Sequence, residues 1–250
     1  MEWSLLLVGA FLAGLVDSIV GGGGLIQVPL LLAAFPTVAP ATLFGTNKMA
    51  SIVGTSLAAW RYLRKIRLTW TMLLPAACCA SIAAYFGALT VSIIPPNLLK
   101  PLVLILLIAV ALYIFLRKDF GTAPKPQQHG RKDHALATVF GTGIGFYDGF
   151  LGPGTGSFLI FGFVRFFGWD LLHASAAAKV VNLATNVGAL AYFLGHGQAM
   201  LALGLAMAAC NLCGAWVGTH FALTRGTRFI RKVFLLVVTA LILRLAYDLL

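Results

Sequence analysis

Runs of about twenty apolar residues recur along almost the entire chain, and this pattern constrains the fold before any other feature does. They cover residues 5–34, 41–60, 70–91, 98–116, 135–163, 174–194, 200–223 and 233–250. A helix needs about 20 apolar residues to cross a bilayer, so the runs predict an all-α polytopic membrane protein of about eight hydrophobic helical segments. Composition agrees, at 60% hydrophobic and 10% charged residues; a soluble domain carries about 45–50% and about 25%. Seven acidic residues serve the whole chain, too few for a water-facing surface of this size. Disorder, a secreted disulfide scaffold and a nucleic-acid module are excluded together. The net charge of +11 sits mostly in short loops between apolar runs, as topology-setting charge does. The expected partner is the lipid bilayer, not nucleic acid.

The start, Met1-Glu2-Trp3, lacks the basic n-region of a cleavable signal, so the first run is expected to be retained. Cys78, Cys79, Cys210 and Cys213 all lie inside apolar runs, where small side chains serve helix–helix contacts. Cys210 and Cys213 form a C-x-x-C without the βαβ context of a redox motif. The histidines (His129, His134, His173, His196, His220) make no cluster with ligand spacing. No disulfide, metal or cofactor is expected.

The one long polar break, residues 117–134, contains Lys118, Lys125, Arg131 and Lys132 with Gly121, Pro124 and Pro126. It reads as a flexible basic linker on the cytoplasmic side. Around it the chain is duplicated, with residues 1–116 as one repeat and 135–250 as the other. At an offset of 131 residues Gly14 meets Gly145, Asp17 meets Asp148, Gly21 meets Gly152, Gly23 meets Gly154, Lys48 meets Lys179, Cys79 meets Cys210 and Gly87 meets Gly218. Matches at Asp, Lys and Gly are hard to produce by chance in so apolar a chain.

The first run of each half is interrupted, by Gly21-Gly22-Gly23-Gly24 and by Gly152-Pro153-Gly154-Thr155-Gly156. Inside a helix each glycine costs about 1 kcal/mol and a proline about 3. Unwound backbone at membrane depth survives only when buried in protein or lining a wet cavity. Two ordinary helices joined by an external turn would need more than the 30 residues of the first run; a broken or re-entrant helix fits. Arg61, Arg64, Lys65 and Arg67 mark the loop after the second run, and Arg225, Arg228, Arg231 and Lys232 mark a last loop; both belong inside. The repeat mate of that last loop is the uncharged turn at Ile94-Pro95-Pro96, which belongs outside. All of this holds if each broken segment enters and leaves on one side, leaving three crossings per half, inverted halves and both termini outside. A parallel repeat must place four basic residues outside, so inversion is preferred.

These residues resemble the TauE/SafE group, the TSUP family of bacterial sulfite and organosulfur-anion transporters. The resemblance is carried by Ala13-Gly14-Leu15-Val16-Asp17-Ser18 leading into the glycine run, by Leu25-Ile26-Gln27-Val28-Pro29 and by Gly45-Thr46-Asn47-Lys48. In the second half it is carried by Gly145-Phe146-Tyr147-Asp148-Gly149-Phe150 with the following Gly-Pro-Gly-Thr-Gly, and by Lys179, Asn182 and Asn186. It implies a transporter of a small, often sulfur-containing anion in the bacterial cytoplasmic (inner) membrane.

The residues point to an anion site independently. Lys48 and Lys179 lie within apolar runs, where an ionisable group is a functional candidate by default. They either converge on one anion or pair with Asp17 and Asp148 as structural bridges. The aspartates repel an anion, so they are read as charge balance, as caps on the glycine runs, or as a site of proton coupling. Helix restarts at Leu25 and near Ser157 would aim free N–H groups at a substrate, with Gly22, Gly23, Gly24, Gly154, Thr155 and Gly156 allowing close approach. Asn47, Asn182 and Asn186 add neutral donors beside the lysines, with Asn182 and Asn186 on the same helical stripe as Lys179, as do Thr46, Ser51, Ser157 and Thr185. The expected function is secondary transport of a small anion, outward, with an anion channel or a membrane-embedded enzyme as alternatives. There is no Walker A pattern for ATP-driven pumping and no base–nucleophile pair for catalysis. A homo-oligomer is compatible with the pattern but not demanded by it.

Overall fold

The computed structural model describes residues 2–94 and 130–249; the apolar run 98–116 and most of the linker lie outside them. Eight helices make up the described residues, which contain no strand: α1 (Glu2–Val20), α2 (Gly24–Ala34), α3 (Pro40–Leu63), α4 (Trp70–Ile93), α5 (Arg131–Phe150), α6 (Thr155–Phe167), α7 (Leu171–Gly195) and α8 (Leu201–Leu249). Local chemistry sets several ends. Pro40 opens α3, where its missing N–H is not needed. The Asp170 carboxylate accepts from the N–H groups of Leu172 and His173 at 2.8 and 2.9 Å, capping α7. At the start of α5 the Asp133 carboxylate accepts from Gly130 N–H at 3.0 Å.

Two boundaries differ from the sequence reading. Residues 131–134, placed in the linker, form the first turn of α5. Arg225, Arg228, Arg231 and Lys232, placed in a loop, lie on α8, which is two helices joined through Gly226 at φ 66° and ψ −162°. One glycine in the left-handed region makes the whole turn, so no polar loop is needed there. Trp3–Val20, Trp70–Ile93, Leu171–Gly195 and Leu201–Ile230 are long and apolar enough to cross a membrane. The helices α2 and α6, of 11 and 13 residues, are shorter than a span.

The duplication is visible in packing. Ala76, Ala80 and Ala84 of α4 meet Gly141, Gly145 and Gly149 of α5 in order. A Cβ on Gly145 or Gly149 would strike the Ala80 or Ala84 backbone, so the sequence's small-xxx-small spacing dictates this close seam. The repeat-related seam joins α1 to α8. Gly14 lies on Asn211, as Gly145 lies on Ala80, and Gly218 lies on Ser18, as Gly87 lies on Gly149. Each contact converts into the other when 131 is added to one partner and subtracted from the other.

The same contacts give helix directions. Contacts advance together along α4 and α5 and along α1 and α8, so each pair is parallel. Helices α3 and α8 are parallel as well: Thr46 Oγ1 accepts from Met200 N–H, while Arg61 reaches Thr219. By contrast, Gly45 near the start of α3 lies on Phe193 near the end of α7, and Tyr62 clusters with Leu171, so α3 and α7 are antiparallel. Helices α4 and α7 run together, through Ser81 with Gly188 and Tyr85 with Tyr192. Thus α1, α3 and α8 point one way and their repeat mates α5, α7 and α4 point the other. The halves are inverted. Within the first half α2 returns along α1, with Gly9 on Leu30 and Gly23 on Ala13, so the broken segment does leave on the side where it entered.

Inversion gathers the loop charge. Apart from the buried Lys48 and Lys179, and Arg244 in the last part of α8, the described lysines and arginines lie in or beside the α3–α4 turn, the start of α5, the end of α6 and the Gly226 kink. The shared cluster of Tyr62, Ile66, Leu68, Phe167, Leu171 and Ile230 places these segments at one end of the bundle. At the other end the α2–α3 and α7–α8 connections carry neither Lys nor Arg. The positive-inside rule assigns the basic end to the cytoplasm. Large apolar side chains such as Leu5, Leu74, Ile82, Phe86, Val139, Leu205 and Trp216 are exposed, while Lys48, Lys179 and several amides are buried. Polar groups inside and apolar groups outside suit a lipid surround.

Candidate functional site

Both glycine turns meet at the pseudo-twofold centre. The repeat mates Gly21 and Gly152 both adopt left-handed backbone, at φ 74° and 85°, which reverses the chain where a side chain would be strained. Gly21 packs directly on Gly156, and a Cβ on Gly156 would fall 2.6 Å from the Gly21 Cα. Cross-repeat hydrogen bonding joins the turns, since Ser157 Oγ donates to the Val20 carbonyl at 3.1 Å. Within the second turn, Tyr147 Oη donates to the Pro153 carbonyl at 2.6 Å. The helices restart at Gly24 and Thr155, one and about two residues earlier than the sequence suggested. Leading N–H groups of both helices donate back into the turns, Leu25 to the Gly22 carbonyl at 2.9 Å, Ile26 to Gly23 at 3.0 Å and Thr155 to Gly152 at 3.3 Å.

A small cavity lies between these restarts. It measures about 20 Å³ and is walled by the turns, by Lys48 and Asn47 of α3, and by Asn182 and Asn186 of α7. That is room for about one water molecule, too little for a polyatomic anion. Asp17, Asp148, Gly22, Gly24, Thr155 and Gly156 also line it. Lys179, Gly23 and Gly154 do not. Lys179 is fully buried beneath Asp17. Gly23 packs against α1, where a Cβ would fall 2.7 Å from the Ala13 carbonyl oxygen; close packing, not substrate approach, requires glycine there. Gly154 precedes α6 as its cap.

Two buried ion pairs brace the halves against each other. Lys48 Nζ lies 2.6 Å from Asp148 Oδ2, with both side chains 4% exposed or less. That oxygen has no aligned hydrogen-bond donor, so the contact is a charge contact more than a directed bond. Lys179 Nζ donates to Asp17 Oδ2 at 2.9 Å and also to the Asp17 carbonyl oxygen. Asp17 is further held by Gly23 N–H at 3.3 Å and Thr55 Oγ1 at 3.4 Å. Each lysine therefore engages the aspartate of the opposite half, the bridge arrangement of the two weighed from sequence. Asp17 caps the first glycine turn as well. Two lysines and two aspartates leave the cluster formally neutral, which offsets the cost of burying charge.

Several amide groups at the site are unpaired. Asn186 Nδ2, Asn47 Oδ1 and Gln27 Nε2 are buried with no hydrogen-bond partner, and such groups are costly unless a partner arrives. Gln27 and Thr55 escaped the sequence reading. Ser51 Oγ lies 3.4 Å from Gln27 Oε1, which ties α2 to the cavity wall. The missed signal was the repeat itself: Lys48, Ser51 and Thr55 are the mates of Lys179, Asn182 and Asn186 at the 131-residue offset.

Elsewhere, Cys78, Cys79, Cys210 and Cys213 are free thiols. The described His, Cys, Asp and Glu residues form no group of three suited to a metal.

Comparison with known proteins agrees with this architecture. The profile of the family described as "Sulfite exporter TauE/SafE" matches residues 6–245. The chain is 39% identical to the "Probable membrane transporter protein ORF9" of Sinorhizobium sp over 98% of its own length and 92% of that protein. It is 33% identical to the "Probable membrane transporter protein YfcA" of Escherichia coli strain K12, covering 96% and 87% of the two chains. A "Probable membrane transporter protein" of Haemophilus influenzae is 32% identical over 98% of this chain and 94% of its own. No solved structure matches significantly. With inverted halves, paired glycine turns and a buried polar centre inside an apolar shell, the chain belongs to the TauE/SafE family and is a multi-pass membrane transporter, not an enzyme.

Proposed function

We propose that this transporter carries a small anion outward across the membrane: sulfite, a sulfonate or a related sulfur-containing anion. The observation that supports this most is the coincidence, at one buried cavity, of the Lys48 ammonium with the first residues of α2 and α6. The positive dipole ends of two helices favour an anion there. The unpaired Asn186 Nδ2 offers a further donor, and Asn182, Thr155 and Ser51 complete the wall. Sulfur chemistry enters through the description of the family, a sulfite exporter. A negative-inside potential favours outward movement of an anion, by about 2.3 kcal/mol per charge at 100 mV.

An incoming anion must compete with Asp148 for Lys48. In the proposed cycle the bundle opens to one side, the anion takes the ammonium and the helix N-termini, and Asp148 is released or takes a proton. Closure around the anion and opening to the other side follow, with Lys179 and Asp17 bracing the inverted halves as they move. The cavity of about 20 Å³ must widen to hold the anion.

Proteoliposomes containing the purified protein test the reading with a panel of sulfite, sulfate, thiosulfate and short sulfonates. Saturable flux with counterflow of at least one of them, lost in Lys48→Met, is the expected result. Flux of an unrelated neutral solute, with none of the sulfur anions moving above protein-free vesicles, refutes the substrate class. Unsaturable flux without counterflow points to a channel.

A further inference from the structure

We propose that the groove between the end of α3 and the part of α8 just before its Gly226 kink, at the basic end of the bundle, binds the headgroup of an anionic phospholipid. The groove offers about 320 Å³ and is lined by Trp60, Arg61, Arg64, Lys65, His220 and Leu223 among others. Arg61 is set in place: its guanidinium donates to the Trp216 carbonyl and to Thr219 Oγ1 at 2.9 Å, and it lies 5.4 Å from the Trp216 ring centroid. Arg64 lies 4.9 Å over the Trp60 ring. Among the described residues no acid pairs with Arg61, Arg64 or Lys65. Three cations therefore converge on one groove without neutralisation, and a phosphodiester supplies the missing charge.

Packing alone does not require this charge. The inverted repeat puts the corresponding positions at the opposite end, where the mates of Trp60, Arg61, Arg64 and Lys65 are Ala191, Tyr192, Gly195 and His196. That set has no lysine or arginine. Only the set assigned to the cytoplasmic leaflet is basic, and that leaflet is where anionic headgroups attract basic residues. Trp60 and Trp216 are 54% and 57% exposed, a position typical of tryptophan at the membrane–water boundary. Trp60 and Leu223 give the groove an apolar side that free phosphate would not use but a lipid would. The groove also joins α3 of one half to α8 of the other, so a bound lipid would clamp the two repeats.

Binding of phosphatidylglycerol and of phosphatidylcholine to the purified, delipidated transporter, measured by native mass spectrometry, tests the proposal. Phosphatidylglycerol should bind preferentially and raise the melting temperature. Arg64→Gln with Lys65→Gln should weaken it about 25-fold, since each basic residue near an anionic headgroup contributes roughly fivefold. A control, Arg225→Gln with Arg228→Gln, removes equal charge from the neighbouring basic surface and should leave that affinity within about twofold. The melting temperature of the Arg64/Lys65 variant without lipid should match the unmodified protein, showing an intact fold. Equal loss in the control, equal binding of phosphatidylcholine, or equal stabilisation by inorganic phosphate would each overturn the lipid assignment.

Discussion

The two buried lysines should behave differently when removed, and the structure sets the size of the difference. In Lys48→Met, Asp148 is left 2% exposed, and its Oδ2 has no aligned donor. Stranding a buried carboxylate costs about 3–5 kcal/mol, roughly 6–20 °C of melting temperature for a chain of this size. In Lys179→Met, Asp17 keeps Gly23 N–H and Thr55 Oγ1 and is 16% exposed. The loss there should be smaller, on the order of 1–3 kcal/mol. Adding Asp148→Asn to Lys48→Met, or Asp17→Asn to Lys179→Met, removes the stranded charge and should recover most of the stability. Transport separates the roles further. Lys48 lines the cavity, so Lys48→Met should weaken substrate affinity about 10–100-fold, the worth of a charge-assisted hydrogen bond. Asp148→Asn should not restore that affinity. Lys179 is sealed under Asp17, so Lys179→Met with Asp17→Asn should regain transport as well as stability. The assay is melting temperature in detergent with proteoliposome flux for the four variants. Restored affinity in the Lys48/Asp148 double variant would refute the assignment of Lys48 to the anion, and an equally large stability loss in both single variants would refute the geometric reasoning.

Two further outcomes follow from the packing and the topology. Gly156→Val should force the turns apart, because its Cβ would meet the Gly21 Cα at 2.6 Å; a loss of about 1–3 kcal/mol or more and of transport is expected, whereas Gly143→Val, with open space around it, should be silent in both assays. Single cysteines placed at Arg64 and Arg228 should label only from the cytoplasmic side and one at the N-terminus only from outside; external labelling of Arg228 would contradict the inverted arrangement.

Much of this protein is written in local sequence. Runs of apolar residues report their solvent directly, because a helix in lipid must be apolar along its length. The breaks at Gly21–Gly24 and Gly152–Gly156 were legible for a similar reason: the penalty for glycine and proline in a helix is local and large. The 131-residue register, carried by Asp17, Lys48 and their mates, disclosed the duplication. Unequal loop charge then disclosed its inversion, since the bias acts on each loop separately. Tertiary structure decided what depends on the meeting of distant segments. Which aspartate each lysine engages follows from interdigitation of inverted halves, so Lys48 pairs with Asp148 and Lys179 with Asp17. The two lysines are equivalent in sequence, yet one lines the cavity and the other is sealed beneath a carboxylate. Gly23 is glycine because α1 lies against it, a requirement set by a helix face and not by the run in which it sits. The roles of Gln27 and Thr55 arise only once α2, α3 and the first glycine turn have packed together. Burial and pairing are properties of the assembled bundle, and no local pattern encodes them.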